Sequence, residues 1–324
     1  FMTVTWGGFI GAISGMNDAG LSVTINAAKS DYPLASATPV SIVTREILQY
    51  AGNISEAIAI AKSRKMFVSE SFLVASAADN KAVIIEKTPD DLDIYDPHRD
   101  FIVCTNHFQS NVLSKSKKNI EQINESASPY RYERLMELLN ANGKNTVQNT
   151  VNILRDRKGL HNTDIGEGNE KAINQLIAHH SIVFEPQKML VWVSTSPWQL
   201  GQYVCYDLKK VFAMNGMKQN IEISDSSLNI APDSFLLTNE YRNFEKFRRY
   251  KQALLDGTEI NPDSLVASNP GFYHAYVLAA DYLYKHKDYP KALRFYKTAL
   301  TKEIATKNEA EHIRKQIKKI ETLK

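Results

Sequence analysis

Residues 1–30 read FMTVTWGGFIGAISGMNDAGLSVTINAAKS. Phe1 to Trp6 is β-branched and aromatic, the composition of a strand. Gly15 to Gly20, GMNDAG, carries turn chemistry: Asn17 and Asp18 suit the turn, and Gly20 can take a positive φ. Leu21, Val23 and Ile25 then alternate with Ser22, Thr24 and Asn26, giving one apolar and one polar face. The stretch therefore reads as strand, glycine-rich bend, strand, tight turn, strand. Asn26 ends it as a polar side chain that needs partners if it is buried, and it is the first candidate for function.

Outward from this hairpin, Lys29 to Ala37 is a polar loop. Thr38 and Pro39 open a helix to Tyr50, with Thr38 as N-cap. Asn53 and Glu56 resemble a capping box for a second helix to about Lys65. Strands resume at Ser71–Ala77, Ala82–Lys87, Leu92–Tyr95 and Phe101–Thr105. Gln109 to Ser128 reads as a polar surface excursion. Pro129 to Asn140 and Thr146 to Arg155 are helical, and Gly159 to Asn169 is a loop. Ile173–Phe184 and Met189–Thr195 form a hairpin, and Tyr203–Leu208 one more strand. Blocks of strands with segregated helices predict an α+β fold of antiparallel sheets covered by helices. The composition changes near Lys209 and is helical from Leu236. There Phe272–Leu300 resembles one tetratricopeptide unit, with Ala280, Ala292 and Ala299 at its small positions. The expected division is 1–208, a connecting segment 209–235, and a helical extension 236–324.

The 324 residues carry a formal net charge of +3, which makes no case for nucleic acid. No apolar run approaches the roughly 18 residues of a membrane span. The Lys-rich amphipathic tail from Asn308 reads as a solvated face, because aromatic residues are not interleaved in it. Two cysteines, Cys104 and Cys205, are too few for a disulfide framework and read as buried thiols. His179 and His180, placed on a strand, would point to opposite faces, and no Cys or His spacing fits zinc. No metal or cofactor is expected. A G-x-S-x-G elbow is absent, so Ser76 and Ser181 are poor triad candidates. A mid-strand Cys104 with His107 three residues on is more simply core.

Asn26 and Asn106 remain, each after a strand-like run. Their amides could donate to a developing oxyanion; the plainer reading is that they cap strand ends. Here a resemblance enters. Gly15 to Leu21 followed by Val23, Asn26 and Ala27 looks like the hairpin of the isopenicillin-N acyltransferase-like and choloylglycine-hydrolase-like N-terminal-nucleophile (Ntn) hydrolases. Thr105-Asn106-His107-Phe108, then Ser128, Arg131 and Arg134 before an apolar helix, then His180–Val183 with Glu185-Pro186 and Leu190–Val193, are similar to that group's later segments in the same order.

The resemblance spans residues 1 to 208. It implies a four-layer αββα sandwich and a small-molecule amide or acyl substrate cleaved or transferred at a linear amide bond. Its nucleophile would be a Cys exposed as a new N-terminus by self-cleavage, with the α-amine as base. Asn106 would then be an oxyanion donor, and Asn26 a second donor or positioning group. Arg131, or Arg134 if the match slips, would hold the site's charges. Residue 1 is Phe, and the resemblance puts the nucleophile ahead of Phe1–Trp6. This chain alone is therefore expected not to turn over substrate. The alternative is a member without catalysis that binds a small molecule or a protein. The C-terminal helices would serve as a brace, or as a surface for self-association or a protein contact.

Overall fold

A computed structural model of the protein describes residues 1–29, 36–214, 216 and 220–323. In chain order the strands and helices are β1 (Met2–Val4), β2 (Ser14–Met16), β3 (Leu21–Ala27), α1 (Val40–Tyr50), α2 (Ile54–Ser63), β4 (Glu70–Ser76), β5 (Lys81–Lys87), β6 (Leu92–Tyr95), α3 (Lys117–Glu125), α4 (Ser128–Ala141) and α5 (Val147–Leu154). They continue as β7 (Ile182–Glu185), β8 (Leu190–Ser194), β9 (Tyr203–Asp207), α6 (Leu208–Phe212), α7 (Asn239–Leu255), α8 (Pro262–Ser268), α9 (Tyr273–Lys285), α10 (Tyr289–Ala299) and α11 (Lys307–Glu321). The fold is α+β with antiparallel sheets and C-terminal helices, as expected. It divides into two compact units. One is Phe1–Asn124, Ile182–Ser194 and Tyr203–Ile230; the other is Glu125–Ser181, Thr195–Gln202 and Ala231–Lys324.

The first unit contains both sheets. β1 to β6 form an antiparallel meander, and β7 to β9 a second antiparallel sheet. Alternation decides the layers. Leu21, Val23, Phe72, Val74, Val83 and Ile85 share one face and pack with Val43, Ile47 and Leu48 of α1 and Ala57 and Ala61 of α2. On the opposite face Met2 and Met16 pack with Ile182, Met189, Val191 and Leu208, so the second sheet lies against the first. Each fully buried aliphatic side chain contributes roughly 1.5–3 kcal/mol. The β2–β3 turn is pinned by Asn17. Its Oδ1 accepts from Leu21 N at 2.9 Å, and its Nδ2 donates to Ala51 O at 2.6 Å, the end of α1. Gly15 is required by close approach, since a Cβ there would stand 2.5 Å from Met2 O and 2.6 Å from Leu48 Cδ1.

The second unit is helical. Phe244, Phe247, Leu265, Phe272, Tyr273, Leu283, Tyr296, Ile313 and Ile320 belong to one core shared by α7 to α11. α9 and α10 pack through Ala280, Ala292 and Ala299, all buried.

Four local expectations are corrected. Phe101–Thr105 is not a strand; side chains, not a ladder, hold its main chain, with Gln109 Nε2 donating to Val103 O at 2.7 Å. The Gln109–Ser128 excursion contains α3. It is anchored by the buried Asn119, whose Nδ2 donates to Phe108 O and Ser114 O, each at 3.0 Å. The strand expected from Ile173 begins only at Ile182, because Asn174 turns the chain by accepting from Leu176 N and donating to Trp198 O. His179 and His180 are therefore not strand residues. The N-cap of α1 is Pro39, not Thr38, which instead bridges Met66. Residues 30–35 of the expected polar loop, and 215 and 217–219 of the connecting segment, lie outside the described residues.

Candidate active site

Strand register places Asn26 opposite Ser71, Ser71 opposite Glu86 and Glu86 opposite Asp93. This polar row crosses four strands on the face turned away from α1 and α2. The next row inward is Thr24, Leu73, Ile84 and Tyr95. The row works as an anchor. Glu86, fully buried, accepts from Gln109 N at 2.6 Å and Ser110 N at 3.0 Å. Asp93 accepts from Val112 N at 2.9 Å. The irregular segment after Ile102 is thus laid against the end of β3.

There the two asparagines meet. Asn26 Nδ2 donates to Cys104 O at 3.4 Å, and Asn106 Nδ2 donates to Ala27 O at 3.1 Å. Each amide binds the main chain of the other's segment, so the two stand as neighbours, half-buried. A carboxamide has two N–H groups. Asn26 commits one of them to Cys104 O. Thr105 Oγ1 and His107 Nδ1, 3.1 Å apart and buried, fix the chain on both sides of Asn106.

The thiols are poor nucleophile candidates. Burial, with Glu86 nearby, pushes Cys104 up to about 12, and burial with Asp225 nearby pushes Cys205 up to about 11. Both are protonated at neutral pH, and a thiol attacks only as thiolate. Among the described residues no group of three His, Cys, Asp or Glu could hold a metal ion, and no helix is long and apolar enough to cross a membrane.

Arg131 and Arg134 lie on α4 in the second unit. Arg134 is 1% exposed and spoken for: it makes a bidentate pair with Asp156, both contacts 2.9 Å, and also donates to Glu137 and Asn162. Arg131 is half-buried and donates from Nη1 to Glu170 O at 2.7 Å.

Three features escaped the sequence reading: an exposed apolar loop, Glu70 and the buried Glu86. Trp6, Phe9 and Ile10 are 55%, 38% and 71% exposed, and the rings of Trp6 and Phe9 meet edge to face at 5.7 Å. Val4 pairs with Ser14, and Ser14 with Thr24, so the chain leaving β1 emerges at the Asn26 end of the sheet. Glu70, on β4, has a buried Oε2 without a hydrogen-bond partner, and burial raises its carboxyl to about 7. The signal for Glu86 was in AVIIEK: a carboxylate two residues after Ile84, on the same inward face.

Two side-chain amides thus stand at the end of β3. Residues 1–196 match the family described as acyl-coenzyme A:6-aminopenicillanic acid acyl-transferase. The match covers more than half of the chain, and the protein belongs to that family. Among solved structures the chain is similar to a point variant of conjugated bile acid hydrolase from Clostridium perfringens. The identity is 12%, over 64% of this chain and 76% of that chain, with a TM-score of 0.37. No curated protein matches the sequence.

Proposed function

We propose that the protein hydrolyses or transfers the acyl group of a linear amide, with Asn106 and Asn26 donating to the oxyanion. The observation that carries this reading is the reciprocal pairing of the two amides at the end of β3 in a chain of this family. The nucleophile in this reading is a cysteine other than Cys104 and Cys205, exposed by self-cleavage. Its α-amine, with a pKa near 8, accepts the thiol proton. The thiolate attacks the carbonyl carbon, and the tetrahedral oxygen takes N–H groups from Asn106 and Asn26. The ammonium returns its proton to the departing amine as the C–N bond breaks. Water or a second amine then releases the acyl group from the thioester. The apolar loop at the same end of the sheet supports an apolar acyl group, packed on Trp6 and Phe9.

The test is Asn106→Ala, which should lower kcat by roughly 10²–10³, the loss of one oxyanion donor. Full turnover by that variant sinks the assignment. A second reading, a binding module without catalysis, is favoured by one fact: both amides already hold main-chain carbonyls. It predicts that Asn26→Ala and Asn106→Ala change stability and ligand affinity in a protein with no turnover.

A further inference from the structure

We infer that Gln109 is a positioning residue for Asn106: its side chain closes the segment from Val103 to Gln109 into a loop, with Asn106 midway along it. This rests on the reading of Asn106 as an oxyanion donor. Every residue involved lies in the first unit. The segment belongs to no strand, so side chains set its shape. Gln109 acts at both arms of the loop. Its Nε2 donates to Val103 O at 2.7 Å, and its own main-chain N donates to Glu86 Oε1 at 2.6 Å. Ser110 N donates to the other oxygen of Glu86 at 3.0 Å. One fully buried carboxylate on β5 thus holds the base of the loop by two consecutive amides. The Gln109 side chain carries that hold across to Val103.

Asn119 supports the same base. Its Oδ1 accepts from Phe108 N at 2.7 Å, and its Nδ2 donates to Phe108 O at 3.0 Å. The upstream arm, from Val103 to Asn106, is held differently. Asn26 reaches Cys104 O at 3.4 Å, which is long for a hydrogen bond and does little by itself to fix that peptide. The Gln109 bond to the neighbouring carbonyl, Val103 O, is much shorter. It therefore sets the peptide that Asn26 meets, and with it the start of the turn that carries Asn106 to Ala27 O. Loss of the Nε2 donor leaves the base clamped on Glu86 and frees the upstream arm.

A double-mutant cycle on the self-processed full-length protein tests this. Gln109→Met keeps the length of the side chain and removes the donor. The probes are the neutral 4-nitroanilides of phenylacetate and octanoate, whose carbonyl is the group that Asn106 has to meet. Gln109→Met should lower kcat about three- to tenfold, the weight of one hydrogen bond. KM should stay within about twofold, because an oxyanion donor acts in the transition state. In an Asn106→Ala background the same change should have no further effect. A change in KM alone, or losses that multiply in the double variant, overturn the inference, since Gln109 would then act apart from Asn106. An unchanged kcat in Gln109→Met beside a crippled Asn106→Ala overturns it too, and leaves the hydrolase reading standing. Full turnover by Asn106→Ala ends that reading, and the inference with it. Amide hydrogen exchange needs no turnover. Gln109→Met, or Gln109→Ala if that variant misfolds, should speed exchange across 103–108 and leave β4 and β5 unchanged. Unchanged exchange across 103–108 contradicts the inference, whatever the probes show.

Discussion

Asn26 and Asn106 each bind the other's main chain, so the fold has a stake in both side chains. Asn106→Asp keeps the shape but removes the N–H donors, the one that holds Ala27 O included. Turnover should fall by roughly 10²–10³, and the melting temperature should fall with it, because a carboxylate oxygen then faces the Ala27 carbonyl. A large thermal shift with intact turnover would make the residue a clamp only.

Glu70 gives a pH prediction. Its folded pKa, about 7, lies above the ordinary 4.5. Its contribution to stability is then fully present below about pH 4.5 and lost as pH rises through 7. Glu70→Gln should stabilise the protein at pH 8 by on the order of 1–2 kcal/mol, discounted for partial exposure, and the gain should vanish near pH 4.5. Denaturation at the two pH values checks it. Arg134→Met should cost roughly 3–5 kcal/mol, because it leaves the Asp156 carboxylate without its buried partner. A small loss in chemical denaturation would mean the pair is dispensable.

At the level of elements, the β2–β3 hairpin is the most constrained piece. A methyl group at Gly15 meets Met2 O and Leu48 Cδ1. Gly15→Ala should therefore destabilise by about 1–3 kcal/mol through overpacking, read as a lower denaturation midpoint. Period-two alternation made β3, β4 and β5 legible, because their apolar faces are buried against α1 and α2. It failed at Phe101–Thr105, where FIVCT has strand composition but its carbonyls are taken by the amides of Asn26 and Gln109. A one-dimensional pattern cannot see a partner that is a side chain from 78 residues away. The exposed Trp6–Ile10 loop was missed for a similar reason. Its place at the Asn26 end of the sheet comes from the strand register, and Trp6 was read as strand.

For the whole molecule, the helical core of the second unit joins Leu176 and Leu200 to Phe235, Phe244 and the helices that follow. Removal of residues 231–324 should leave that unit unfolded, seen as lost helical circular dichroism beyond the share of the deleted helices. A family motif in order made the asparagines legible. The ties from Asn169 and Lys171 to Glu303 were not, since they join residues 134 and 132 apart through contacts no local pattern encodes.

The central claim is Ntn chemistry at the Asn26–Asn106 pair. Its most direct test is intact mass with N-terminal sequencing of the protein made from its complete gene. The account predicts a mature chain that begins with cysteine at a self-cleaved bond. A mature chain with any other first residue contradicts it.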